Sequence, residues 1–170
     1  AGGFVGFVQS GNINIEIKNS FHEGNLNATA VYAAGAIGGI SNTLNKTITI
    51  ENCYAKGAFT ATNYVGGMVG YFNAQAFATP ELFINNCFSQ ITTSTSNAAT
   101  KGGVFVDNCV AVSGTGINKI GGSLSNVQNS QTISAAQLNT QAMVDKLNAG
   151  ANPPNVVIFE DRLELRAFDP

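Results

Sequence analysis

Only 11% of the 170 residues are charged, where roughly a quarter is ordinary for a soluble domain, and the net charge is −2. Basic residues stand singly, so no patch exists to track phosphates and nucleic acid is excluded as a partner; no apolar run reaches the roughly 20 residues of a membrane span. With 44% hydrophobic residues, 19 Gly and 21 Asn, the profile excludes disorder and fits a β-rich repeat whose corners are made by Gly and Asn.

Two phrases alternate along the chain. The first is Gly-Gly-x-apolar-Gly: GGFVG at 2–6, AGAIG at 34–38 and GGMVG at 66–70, so Gly3, Gly35 and Gly67 are each 32 residues apart. The opening AGGFVG holds no signal peptide and starts inside a repeat, which reads as a piece of a longer protein. The second phrase is apolar-x-Asn-[Ser/Cys]-bulky: IKNSF at 17–21, IENCY at 50–54, INNCF at 84–88 and VDNCV at 106–110. Its asparagines, Asn19, Asn52, Asn86 and Asn108, are spaced 33, 34 and 22 residues. Apolar residues alternate strictly before each one: Ile13, Ile15 and Ile17, then Ile48 and Ile50, then Leu82 and Ile84. That period of two predicts strands. The fourth copy is shortened, Gly102-Gly103 running straight into the Asn phrase, and a worn fifth copy reads GGSLSN at 121–126. The repeat units are therefore about 2–33, 34–65, 66–101, 102–120 and 121–128.

A repeat of two or three short strands cannot bury an apolar face alone, but stacked copies can. The chain is predicted to be all-β, a parallel β-helix with like residues in columns about 4.8 Å apart. Ile17, Ile50, Ile84 and Val106 form a core column, the four asparagines an amide ladder, and Phe21, Tyr54, Phe88 and Val110 a bulky stack. Cys53, Cys87 and Cys109 each follow the recurrent Asn; an odd count forbids full pairing, and they read as small apolar residues facing inward. A zinc site would want closer spacing or partner histidines, and the only His is His22, expected exposed at a corner. The same alignment sets Lys18 opposite Glu51 and Glu23 opposite Lys56.

Residues 129–170 form a different unit. Ser134 with Gln137 makes a capping box, Leu138, Ala142, Met143 and Leu147 an apolar stripe, and Gly150 with Pro153-Pro154 a stop. This predicts a helix over about 135–148 and, from NVVIFEDRLELRAF, a hairpin over about 155–168. Together they would cap the open end of the repeat stack.

With both phrases in hand, GGMVGYF followed by IENCYAKG resembles the GLUG repeat of bacterial secreted and surface proteins, over roughly residues 2–126. The resemblance implies a right-handed β-helix, export to the extracellular space or cell surface, and a place in large adhesin-like proteins. In some relatives, such as bacterial immunoglobulin A-cleaving peptidases, such repeats accompany a catalytic domain. It brings no catalytic motif, cofactor or metal. The expected role is a non-catalytic stalk or binding module for a glycan or host surface protein. Variation concentrates in the inter-strand loops 22–34, 55–65, 72–80 and 89–101, and Tyr32, Tyr64, Tyr71 and Phe72, in or beside them, are the candidate ligand-facing residues. The alternatives are an accessory repeat domain of a larger secreted enzyme and a carbohydrate-active β-helix. The enzyme would use Glu51 and Asp107, which share a column two repeats apart with Asn85 between them.

Overall fold

The chain turns at asparagine. Asn19, Asn52, Asn86, Asn108 and Asn129 all take a left-handed backbone, with φ between 49° and 53°. Asn is the non-glycine residue that tolerates this region best, because its short amide finds local partners. In this computed structural model, residues 1–9, 14–29, 31–43, 47–74, 81–93, 100–101, 103–112, 126–149, 156–159 and 162–165 are described.

The protein is all-β with parallel sheets and few helices. One sheet runs in the order Val5–Gln9, Ile37–Thr43, Val69–Ala74, Thr100–Lys101. A second holds Ile15–Lys18, Thr47–Glu51, Glu81–Asn85, Gly103–Asp107 and Asn126–Gln128, each beside its counterpart in the next repeat. The third, just past the asparagine corner, holds Phe21–Glu23, Tyr54–Thr60, Phe88–Thr93, Val110–Val112 and Gln131–Ile133. Tyr32–Ala34 pairs in parallel with Tyr64–Gly66.

Register follows the repeat. Ile17 aligns with Ile50, Ile50 with Ile84, and Ile84 with Val106; Phe21, Tyr54, Phe88 and Val110 align likewise. Ile48, Ile50, Leu82 and Ile84 are buried in one core cluster, each side chain contributing about 1.5–3 kcal/mol through burial. Lys18 meets Glu51 at 3.5 Å as expected. Glu23 aligns with Lys56, but its carboxylate accepts from the Tyr54 hydroxyl at 3.1 Å.

The asparagine corner satisfies its own backbone. Each Asn N–H donates across to the residue that precedes the next Asn: Asn19 to Glu51 O and Asn52 to Asn85 O at 3.1 Å, Asn86 to Asp107 O at 3.1 Å, Asn108 to Gln128 O at 3.2 Å. The side-chain amides ladder in parallel, Asn52 Nδ2 donating to Asn19 Oδ1 at 3.1 Å and Asn108 Nδ2 to Asn86 Oδ1 at 2.9 Å. The next position is also a column: Ser20, Cys53, Cys87, Cys109, Ser130. Each side chain donates to the carbonyl two residues back, at 2.8–3.2 Å. Cys87 N–H in turn donates to Cys109 Sγ at 3.4 Å, and Cys109 N–H to Ser130 Oγ at 3.0 Å. Sulfur fills the three inner places, where Cys53, Cys87 and Cys109 are at most 1% exposed, and hydroxyl the two outer ones. Burial raises the Cys87 thiol well above its ordinary 9.0.

The Gly-Gly phrase lets two walls approach. A Cβ on Gly35 would stand 2.1 Å from Ala55 Cβ and 2.4 Å from Gly67 O. Ala55 belongs to the inward column His22, Ala55, Ser89, Ala111. His22 is therefore not an exposed corner residue: Phe21 faces outward, so alternation turns His22 in, tilted against Phe59 at 5.6 Å.

Several boundaries differ from expectation. Parallel pairing runs on to Ile133, past the expected limit at 128, because VQNSQ at 127–131 repeats the corner with Asn129. The stretches 22–34, 55–65 and 89–101, read as loops, contain strands; Tyr54–Thr60 extends through Phe59, which is fully buried and aligned with Leu26. The single helix is two, α1 (Ala135–Leu138) and α2 (Gln141–Leu147). Gln137 Oε1 accepts from Ser134 N–H at 2.9 Å; α1 ends at Asn139, and Thr140, the first residue before α2, donates its hydroxyl back to Gln137 O at 2.9 Å. Leu138, Val144 and Leu147 pack with Tyr54, Phe88, Val110, Val112 and Ile133 in a cluster separate from the core. The cysteine column thus faces the core, and the bulky column is buried on the opposite face beneath the helices. Val156–Phe159 and Arg162–Leu165 form the antiparallel hairpin, whose Glu160-Asp161 turn lies outside the described residues.

Candidate functional site

Two outer surfaces gather chemistry. The first is aromatic. Tyr32 lies nearly parallel to Phe7 at 5.6 Å and to Tyr71 at 4.7 Å, with Tyr64 5.7 Å from Tyr32 and 5.1 Å from Tyr71. Phe7, Gly39 and Tyr71 are register partners, so the Tyr32 ring fills the gap that Gly39 leaves between them. A Cβ on Gly39 would fall 2.7 Å from the Phe7 ring and 3.0 Å from Tyr32 Cδ2. The rings turn their faces on one another and leave edges toward solvent. Burial, then Tyr71 and Tyr64, raise the Tyr32 hydroxyl above its ordinary 10.0. Phe72 is not part of this surface: it is 1% exposed, since its neighbour Tyr71 faces out and alternation sends it into the core. Phe7, 42% exposed, was missed; its place two repeats before Tyr71 was the available signal.

The second surface is a polar groove of about 440 Å³ beside the asparagine column. Glu51, Asn85 and Asp107 line it from consecutive strands of the second sheet, in direct register. The two carboxylates thus sit two strand spacings apart, about 9–10 Å. Asn86, Asn108 and Asn129 form the adjoining strip, and Ala149, just beyond α2, stands on the far side. Most of these groups are tied down. Glu51 meets Lys18, Asp107 Oδ1 accepts from Asn129 Nδ2 at 2.9 Å, and Asn108 Nδ2 donates to Lys146 O at 2.6 Å. Lys146 Nζ reaches Asn108 Oδ1 at 3.1 Å and also donates to Asn129 O. The Asn85 amide makes no side-chain hydrogen bond among the described residues.

The sequence had set Glu51, Asn85 and Asp107 on one column. It did not show Asn129 on that column, nor that the chain just past the predicted helix would border it at Ala149. Among the described residues, no group of three or more His, Cys, Asp or Glu could hold a metal ion, and no helix is long and apolar enough to cross a membrane. Comparison with family models, curated proteins and solved structures gave no match.

Proposed function

We propose that the chain is a right-handed parallel β-helix of GLUG-like repeats, serving as a non-catalytic stalk or binding module of an exported bacterial surface protein. The observation that carries this reading is the column of five left-handed asparagines joined by in-register parallel pairing on both sides of the corner. Such stacking makes a stiff rod whose outer faces are free to vary. The phrases GGMVGYF and IENCYAKG supply the likeness to exported repeat proteins. On that rod the aromatic ridge of Phe7, Tyr32, Tyr64 and Tyr71 and the polar groove are the surfaces that meet a glycan or a host protein.

Glycan arrays and host-cell binding with the 170-residue chain test the role. Retention on at least one glycan or cell surface, without depolymerisation of any polysaccharide, is the expected result. Cleavage of a polysaccharide that Glu51→Gln or Asp107→Asn abolishes would replace the reading with a carbohydrate-active enzyme. Silence across broad panels would remove the binding role.

A further inference from the structure

We propose that the groove beside the asparagine column binds a neutral or amino-sugar oligosaccharide and rejects acidic ones. The proposal deepens the binding-module reading by giving it a site and a ligand class. A volume of about 440 Å³ lies within the range of ligand clefts, roughly 300–1,000 Å³. The lining is almost wholly hydrogen-bonding groups. Among the described residues it offers no aromatic or large aliphatic anchor of the kind that dominates protein interfaces, which argues for a small polar ligand.

The groups are ordered for an extended chain of hydroxyls. Glu51, Asn85 and Asp107 recur once per strand, about every 4.8 Å, so successive sugar units along the stack would each meet one of them. Carboxylates accept only, and they take hydrogen bonds from hydroxyl or ammonium groups. Asn85, at the centre, supplies two donors and an acceptor, and among the described residues its side chain uses none of them.

Charge sets the selectivity. Among the described residues no Lys or Arg lines the groove: Lys18 holds Glu51, while Lys146 is engaged with Asn108 and Asn129. A uronate would meet two carboxylates, with the nearest described cations, Lys18 and Lys146, already engaged by Glu51 and by Asn108 and Asn129.

Calorimetry and side-chain amide NMR with the 170-residue chain test this, using glucose, glucosamine and galacturonate oligomers of about three to six units. Glucose or glucosamine oligomers are expected to bind and to shift the Asn85 and Asn129 amide signals; galacturonate oligomers are not. Asn85→Ala should weaken binding about tenfold, and Asp107→Asn should weaken the glucosamine series more than the glucose series. Glu81→Gln, on the same sheet but outside the groove, should leave binding unchanged. Each variant must keep the wild-type circular dichroism and melting profile, apart from small shifts. Tighter binding of galacturonate, or calcium binding with no response to any sugar, overturns the proposal. Glycan binding lost in Tyr71→Ala but kept in Asn85→Ala overturns the groove assignment and leaves the binding-module reading standing. Failure of every sugar beside a positive cell-binding screen does the same.

Discussion

Replacing Asn52 separates the two jobs of the corner. Its φ of 53° is left-handed, and its Nδ2 donates to Asn19 Oδ1 at 3.1 Å. Asn52→Gly keeps the backbone conformation without steric penalty and removes the amide. It loses about 0.5–1.5 kcal/mol per hydrogen bond and about 0.5–1 kcal/mol through unfolded-chain entropy. Asn52→Ala removes the amide but keeps a Cβ in the left-handed region, as wild-type Asn does, so against glycine it carries a backbone cost of about 1–2 kcal/mol. The backbone bond from residue 52 to Asn85 O, 3.1 Å, survives in both. Set against the glycine variant, alanine avoids the entropy loss of about 0.5–1 kcal/mol and carries the backbone cost of about 1–2 kcal/mol, so it should fall about 0.5–1 kcal/mol below it. In a chain of this size each kcal/mol moves Tm by about 2–4 °C, so thermal and urea melts followed by circular dichroism resolve the order. Equal losses would mean that the corner is not left-handed. No loss in either variant would mean that the amide ladder contributes nothing.

Gly35→Ala should destabilise by about 1–3 kcal/mol or more in urea melts, and adding Ala55→Gly should restore only part, because Gly67 O stays 2.4 Å from the new methyl. Gly6→Ala, where a Cβ meets nothing within 4 Å, should be close to neutral; equal damage from both would refute the close-approach account. Cys109→Ala should cost about 1–3 kcal/mol by leaving the Cys87 N–H buried and unpaired, whereas Cys109→Ser, which copies Ser130, should cost less. The reverse order in denaturant melts would count against sulfur as that acceptor. Because folding raises the Tyr32 pKa, its stabilising contribution is complete below the ordinary 10.0 and is lost as pH rises through the higher folded value. Ultraviolet titration should show a late-ionising component that Tyr32→Phe removes, and an unchanged curve would contradict the stacked site.

The Asn phrase carried register because it recurs at the same point of every repeat, and stacking turns recurrence into contact. Asn129 escaped notice because Gln131 follows it where an aromatic or Val stands elsewhere. The misplacement of Phe72 and His22 was avoidable, since both sit one residue from an outward neighbour in a strand, and alternation alone sends them inward. The helix break at Asn139-Thr140 was visible as a poor helix former followed by a good cap, but the longer apolar stripe outweighed it. The groove could not be read in advance. Its border at Ala149 follows from α2 packing over Val110, Val112 and Ile133; the apolar stripe marked a helix but not the face it would cover.

Through-hydrogen-bond scalar couplings test the stacking itself. An isotope-labelled sample should show the Asn19 amide coupled to the Glu51 carbonyl, Asn52 to Asn85, Asn86 to Asp107 and Asn108 to Gln128. Four such cross-peaks, each joining one repeat to the next, are what parallel in-register stacking requires. Couplings that pair these strands in opposite directions, or that join each Asn within its own repeat, would contradict it.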